Sequence, residues 1–318
     1  MRRVHCLGIL VMDALCGPLR RYPQPRICPQ VNASSIRFLP GGGAVNTAAA
    51  LAQIGIPVGL FAKVGADANG TAALDYLSGL GVEVGGVVRS AAETTPFTFV
   101  GIHPRGERTF VHTPGCNLSF CPADLDLELL LQADVLLAQD LWALPAMDGK
   151  PLAGLLAAAR HRGLVTVLDE CWGYGPRRRA LEAVLPQADY VLPSYDDLLA
   201  IYPDLSPEDM IRRLQQRGAS KVVLKTGARG CLFDLGSGLG WRASVADTIV
   251  DPTGAGDCFD AGFIAGLVRG LSGEDAVNLA LQAAAACLRQ VGGAVGIPPF
   301  EVLRAAPVRS AGAEGRSP

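Results

Sequence analysis

The chain has 318 residues, 49 % of them hydrophobic and 18 % charged, with a formal net charge of -2; this supports a buried core in one large α/β domain or two and excludes disorder for its body. The near-neutral balance gives no electrostatic footprint for nucleic acid, and the one basic cluster, Arg177 to Arg179, reads as a solvated helix start, with a phosphate contact as the alternative. Nine cysteines, an odd number without metal-ligand spacing, are expected to be reduced thiols, which points to the cytoplasm.

At the amino terminus, MRRVHCLGILVMDALCG sets two arginines before an apolar run. Asp13 interrupts that run, no convincing small-residue cleavage site follows and no stretch is long enough to span a bilayer, so a first strand is expected. RICPQVNASSIRFLP then offers strand-like pieces with no helix nearby. From about residue 41, apolar runs of strand length alternate with helical periods. AVNTAAALAQIG predicts a helix closed by Gly55, PVGLFAKVG a strand and GTAALDYLSGLG a helix. TPFTFVGIHPRGERTFVHTPG is two β-rich runs joined by Pro-Arg-Gly-Glu, a hairpin signal. DVLLAQ and LVTVLD predict strands with the helix PLAGLLAAARHRG between them, and DYVLP and KVVLKTG are further strands. GDCFDAGFIAGLVRG reads as a helix with small residues on its packing face, and the small, polar segment 306–318 as a disordered tail.

Strands that are apolar throughout suit a parallel sheet buried on both faces, and their alternation with helices predicts a doubly wound α/β fold, its mostly parallel central sheet flanked by helices. The segments that break the pattern, about 12–39 and 95–115, are expected to pair as a small β-sheet lid. With no repeat and no linker, the lid is inserted into a single domain spanning 1–305.

In open α/β sheets the ligand sits outside the carboxyl ends of the strands. Polar residues collect at such ends: Asp13 after GILVM, Gln139 and Asp140 after DVLLA, Asp169 and Glu170 after LVTVL, Ser194 and Asp197 after DYVLP, Lys225 and Thr226 after KVVL, and Asp251 after DTIV. Each alone also fits a helix cap or a loop; together they favour a site. DPTGAGDCF, residues 251–259, leaves one of these ends for a helix. Gly254 and Gly256 allow a tight turn whose successive amides point at an anion, a phosphate being the obvious guest. Asp257 suits a helix start electrostatically, yet a carboxylate beside an anion hole repels the guest and makes better sense as a general base.

DPTGAGDCF resembles the carboxy-terminal signature of the ribokinase-like (PfkB) carbohydrate kinases, and PGGGAVNTAAALAQIG at 40–55 resembles their amino-terminal glycine signature. KVGADANG at 63–70 is similar to a third family segment and GERTFVHTPGCN at 106–117 to their lid hairpin, all in register from about residue 4 to residue 300. A Walker loop and a dinucleotide fingerprint are both absent from the sequence. The resemblance implies the ribokinase-like fold and transfer of the γ-phosphoryl group of ATP, with Mg²⁺, to a hydroxyl, in expectation primary, of a pentose or hexose. It implies Asp257 as base, with the amides of Gly254, Ala255 and Gly256 as anion hole. It implies Asp13, Gly42, Gly43 and Asn46 at the sugar, although the two glycines also read as turn residues before a helix. Lys225, Thr226, Gly227 and Gly230 would lie at the nucleotide, a plain β-turn being the other reading of that segment. Asp251 and Thr253, with the loop GGAVGIP at 292–298, are candidates for K⁺. Related kinases often cover lid edges by pairing them, which implies a homodimer through the lid.

Departures from the family pattern bear on the substrate. The family's Asn-x-x-Glu motif appears as Ser194-Tyr195-Asp196-Asp197, which keeps a hydroxyl and a charge and leaves room for a water-bridged Mg²⁺. Val11 replaces an asparagine often found two places before the first-strand aspartate in the ribokinase branch, which argues against strict ribose specificity. Asp169-Glu170-Cys171-Trp172-Gly173 keeps the aspartate of Asp-Pro-Asn-x-Arg but loses the arginine, which weakens an acidic keto-sugar. Two alternatives stay open: a nucleoside kinase, with Phe97, Phe99 and Phe110 as platform or lid core, and an inactive sugar-binding regulator.

Overall fold

The computed structural model describes residues 2–24, 26–105, 107–171 and 178–307. The chain begins β1 (Val4–Leu7), β2 (Val11–Gly17), β3 (Ser35–Gly41), α1 (Gly43–Ile54), β4 (Val58–Phe61), β5 (Lys63–Gly65), α2 (Ala68–Gly79), β6 (Val88–Ser90), β7 (Phe97–Ile102) and β8 (Arg108–Thr113). It continues α3 (Leu127–Leu130), β9 (Val135–Leu141), α4 (Lys150–His161), β10 (Val165–Glu170), α5 (Arg178–Val184), β11 (Tyr190–Val191), α6 (Tyr195–Leu199), α7 (Pro207–Gln216) and β12 (Lys221–Lys225). β13 (Gly230–Asp234), β14 (Leu239–Ala243), α8 (Ala255–Val268), α9 (Gly273–Cys287) and α10 (Phe300–Ala305) complete it.

Eight strands form the central sheet in the order β14-β13-β12-β11-β10-β9-β1-β4. Its pairings from β4 to β12 are parallel, and β13 and β14 add antiparallel strands at one edge. Successive side chains of one strand enter opposite cores: Val4 and Cys6 of β1 join one and Leu7 the other, and Val135 and Leu137 of β9 oppose Leu136 and Ala138. Helices α1, α8 and α9 cover the first core, and α4 and α7 the second. This two-sided burial explains why the strand sequences are apolar throughout.

The lid is a second sheet, ordered β3-β2-β7-β8, with β2 antiparallel to β3, parallel to β7, and β7 and β8 forming the expected hairpin. Its strands span 11–41 and 97–113, close to the expected bounds. The outer strands leave Ile36 58 %, Phe38 61 %, Phe110 63 % and Val111 70 % exposed.

Several expectations need correction. The amino-terminal run is two strands, not one: the chain leaves the central sheet at Gly8, so Asp13 sits inside lid strand β2 and not at a central strand's end. PVGLFAKVG likewise splits, β4 staying in the central sheet while β5 pairs with β6 in a sheet of two. In RICPQVNASSIRFLP the ladder starts only at Ser35. DTIV is not a strand: Ile249 and Val250 are exposed, and the N–H groups of Val250 and Asp251 reach the Leu288 carbonyl beyond α9, at 2.7 and 3.3 Å. Asp251 is therefore held by a helix end. Arg178, by contrast, begins α5 and is exposed, as expected of a solvated helix start, with its guanidinium 4.9 Å from the Tyr202 ring. Arg177, Trp172, Gly173, Gly106 and the tail residues 308–318 lie outside the described residues. All nine cysteines are free thiols, and among the described residues no helix is long and apolar enough to cross a membrane.

One carboxylate fastens the junction of sheet, lid and first helix. Asp140, at the end of β9 with φ 64°, accepts the N–H groups of Ile9 at 2.9 Å, Gly43 at 3.0 Å and Ala44 at 3.0 Å. It thereby caps α1, whose own N-cap residue is Gly42. Gly42 has φ 108°, and a Cβ there would come 2.5 Å from the Ile9 carbonyl oxygen, so both conformation and space require glycine. Asp140→Ala strands these donors; with about 1–3 kcal/mol for each buried group left unsatisfied, it is expected to lower the unfolding free energy by at least ~3 kcal/mol in urea denaturation. An unchanged midpoint would remove Asp140 as the fastener.

Candidate active site

The site forms where α8 starts. Gly254 precedes the helix with φ 76°, and a Cβ on it would lie 2.9 Å from the Gly293 Cα, so two backbones meet there. The Cys258 N–H closes the first turn on the Gly254 carbonyl at 2.8 Å, and the Ala255 N–H is drawn to the Pro252 carbonyl at 3.3 Å. Asp257 lies in that first turn, where the amides carry the helix's positive end. Its carboxylate accepts from Asn46 Nδ2 of α1 at 2.8 Å and from Gln139 Nε2 of β9 at 3.0 Å. The Thr47 hydroxyl donates to Gln139 Oε1 at 2.8 Å, which turns the amide nitrogen toward the carboxylate. Burial pushes the Asp257 carboxyl up to about 7; the Asn46 hydrogen bond opposes this, and the charges of Asp140 and Asp169 add to it.

Behind Asp257 lies a buried ion cluster. Asp260, three residues further along α8, and Asp169 at the end of β10 flank the Lys225 ammonium at 3.1 and 2.9 Å. Burial alone would lower the Lys225 pKa, but Asp169, Asp260 and Glu170 raise it well above the usual lysine value. The ammonium also lies 3.8 Å from where a Cβ on Gly256 would sit, so its charge is next to the glycine turn. Gln139 Nε2 bridges the two groups, reaching Asp169 and Asp260 at 3.3 Å each.

Ser194 and Asp197 start α6 nearby. The Ser194 N–H donates to Glu170 Oε1 at 2.7 Å, while Glu170 Oε2 is buried without a hydrogen-bond partner. Burial and the charge of Asp169 push the Asp197 carboxyl up to about 6. Among the described residues no group of three His, Cys, Asp or Glu could hold a metal directly. The oxygen donors of Ser194, Asp197 and Glu170 instead fit Mg²⁺ that keeps most of its waters.

A cleft between the lid, α1 and the loops before α8 and after α9 is lined by Asp13, Gly41, Asn46, Arg108, Thr253 and Gly293, among others. Burial pushes the Asp13 carboxyl up to about 6, against the Thr98 hydrogen bond and the Arg108 charge. Gly41 lines the cleft, while Gly42 and Gly43 beside it shape the turn into α1, the Gly43 amide being held by Asp140. Phe97, Phe99 and Phe110 do not line the cleft. In the nucleotide segment, the Thr226 N–H and hydroxyl both reach the Gly230 carbonyl, at 2.8 and 2.9 Å, closing a turn around the exposed Gly227. Lys225 points inward from that turn. Asp251 accepts from the N–H groups of Thr253 at 2.9 Å and Gly292 at 2.8 Å and pairs with Arg108 at 2.5 Å. With the Asp251 carboxylate shared by a guanidinium and two amides, K⁺ would have to be held mostly by backbone carbonyls of this loop and of 292–298.

Sequence reasoning set Gln139, Asp169 and Lys225 at strand ends but missed the linking residues Thr47, Asp260 and Arg108. Asp260 had a usable signal, since its spacing from Asp257 puts both on one face of a helix. Arg108 stood in the quoted hairpin without a partner.

Residues 1–299 match the family described as pfkB family carbohydrate kinase. The chain is 25 % identical over 310 residues to a ribokinase of Lactococcus lactis, covering 96 % of this chain and 97 % of that protein. It is 27 % identical over 252 residues to a 2-dehydro-3-deoxygluconokinase of Thermoproteus tenax, covering 77 % and 78 % of the two chains. The structure of Arabidopsis thaliana ribokinase complexed with ribose and ATP superposes with a TM-score of 0.82 at 23 % identity, over 95 % of this chain and 97 % of that one. The ribokinase-like fold expected from sequence is therefore present.

A folded-state carboxyl near 7 against an unfolded one near 4 has a sign that can be worked out. The folded state holds the proton more tightly, so the native stability associated with Asp257 is fully present below the unfolded value and is lost as pH rises through about 7. Asp257→Asn removes that loss. Its unfolding free energy relative to the wild type is expected to improve by up to about 4 kcal/mol between about pH 4 and about pH 8, measured by urea denaturation. A difference independent of pH would mean that the carboxyl is not held in its protonated range.

Proposed function

The chain belongs to the pfkB family of carbohydrate kinases and is an ATP-dependent sugar kinase, and from that premise we propose that it phosphorylates a primary hydroxyl of a neutral pentose or hexose, with Asp257 as general base. The observation that carries this reading is the grip of Asn46 and Gln139 on a carboxylate placed in the first turn of α8. A base for an alcohol must be unprotonated yet basic enough to accept a proton, and a carboxyl near 7 meets both needs at neutral pH.

The sugar would lie in the cleft, where Asp13 and Asn46 offer acceptor and donor groups to its hydroxyls. Asp257 takes the proton of the attacking hydroxyl as its oxygen approaches the γ-phosphorus. The amides of Gly254, Ala255 and Gly256 receive the charge that develops on the transferred group, with the Lys225 ammonium behind them. Ser194 and Asp197 would hold Mg²⁺ through water, the ion supplying neutralisation of the phosphate oxygens. Thr226, Gly227 and Gly230 would turn the chain at the nucleotide. The Arg108 guanidinium in the cleft is already paired with Asp251, which favours a neutral sugar over a sugar acid. The absence of Phe97, Phe99 and Phe110 from the cleft lining leaves the nucleoside alternative without its platform. The free cysteines support a reducing, cytoplasmic setting.

The test is ADP release with ATP and Mg²⁺ across pentoses, hexoses, sugar acids and nucleosides. Asp257→Asn is expected to reduce turnover of the preferred sugar about 10²- to 10⁴-fold, with its affinity largely kept. In the wild type, kcat/KM should rise with pH through about 7 and then level off, because only the unprotonated carboxylate can accept the proton. Normal turnover by the variant would remove Asp257 from the mechanism, and silence across the panel despite ATP binding would favour the sugar-binding regulator.

The exposed apolar residues of the lid's outer strands also support a homodimer joined through the lid. Phe38→Ser combined with Phe110→Ser should then halve the mass seen by light scattering on size-exclusion chromatography; a wild type that elutes as a monomer would sink the dimer.

A further inference from the structure

The ion pair of Arg108 and Asp251 joins two parts of the molecule that phosphoryl transfer needs to act together. Arg108 is the first residue of lid strand β8, laddered to Ile102 of β7, and β7 in turn pairs with β2, the strand that carries Asp13. Its guanidinium moves with the lid. Asp251 belongs to the loop that opens α8, and its side chain is 3 % exposed, that of Arg108 11 %. Its two carboxylate oxygens hold the N–H groups of Thr253 and Gly292. The Cys287 thiol reaches the carbonyls of Thr253 and Gly293 at 3.3 and 3.2 Å, so one knot of contacts sets the backbone on both sides of Gly254.

These contacts form a continuous path from the lid strand through Arg108 and Asp251 to the turn whose amides face the transferred phosphoryl group. We propose that Arg108 is a positioning residue that couples closure of the lid to assembly of the anion hole, so that the amides at 254–256 are set only when the lid is docked. The proposal rests on the kinase reading above. The loop is also tied to the end of α9, where the N–H groups of Val250 and Asp251 reach the Leu288 carbonyl, so Arg108 adds the link from this loop to the lid. A buried carboxylate also tolerates the loss of its cation poorly, which ties the loop to the lid's position.

Hydrogen exchange with the β,γ-methylene analogue of ATP and Mg²⁺, without any sugar, reads this coupling directly. In the wild type the analogue should slow exchange of the lid amides at 108–113 about 5- to 100-fold, the range of ordinary site-to-site coupling. Arg108→Gln should abolish that slowing while the analogue still binds in calorimetry, and Arg108→Lys, which keeps the charge, should restore part of it. The kinetic counterpart is a fall in kcat of about 10- to 100-fold for Arg108→Gln, with little change in the KM for ATP and partial recovery in Arg108→Lys. Should Arg108→Gln not fold, Asp251→Asn breaks the same pair from the other side and is read the same way. Equal slowing in variant and wild type, or none in the wild type, overturns the coupling. Failure of the wild type to bind the analogue at all would instead defeat the kinase reading beneath it.

Discussion

One buried ammonium makes the catalytic end of this molecule possible. Lys225 stands among Asp169, Asp260 and Glu170, in a region where Asp140 is also buried and Asp257 partly so. Charges of one sign packed together in a low dielectric repel strongly, and each pays a desolvation penalty as well. The lysine offsets part of both effects. What remains is visible in the upward shifts of Asp257, Asp260 and Glu170. Because amide donors from Asn46 and Gln139 favour its charged form, Asp257 stops near neutrality and is not locked in the protonated state.

The fold supplies this cluster from separated parts of the chain. Parallel strands bring Gln139, Asp169 and Lys225 to one edge of the sheet, since β9, β10 and β12 all end there. Helix α8 crosses that edge with Asp257 and Asp260 on one face, and α1 brings Asn46 and Thr47 beside it. The position of α1 in turn depends on Asp140, which holds its first amides and the entry to the lid. A single residue pair on β9, Gln139 and Asp140, therefore serves two tasks: one side chain orients the Asp257 carboxylate and the other anchors the helix that carries Asn46, its second partner.

Much of this was legible in the sequence because its signals were local. Apolar runs gave the central strands, the glycines of DPTGAGDCF gave the turn before α8, and Asp257 followed from its place in that turn. The errors arose where a local signal had two outcomes. An apolar run interrupted by Gly8 could be one strand or two in different sheets, and only the long-range ladder of β2 with β3 and β7 decides. DTIV looked like a strand because its composition is β-prone, but the N–H groups of Val250 and Asp251 turn to the Leu288 carbonyl at the end of α9 instead of a sheet edge. The tie of the Gly43 amide to Asp140, across 97 residues of sequence, had no local signal at all.

Residues that act through a partner were the hardest to read. A guanidinium in a lid hairpin has no meaning by itself; beside Asp251 it becomes a fixed charge between the lid and the turn that opens α8. The same holds for Asp260, which without Lys225 would be an unexplained carboxylate inside a helix packed among small residues. Both pairs join the chemistry to parts of the structure that never touch the reacting atoms. The Asp257 carboxyl is thus tuned from one side by a buried ion cluster, while the loop that opens its helix is held by an arginine of the lid. This division follows from the architecture: the charges are set at the ends of central-sheet strands, and Arg108 is carried on a separate four-stranded sheet.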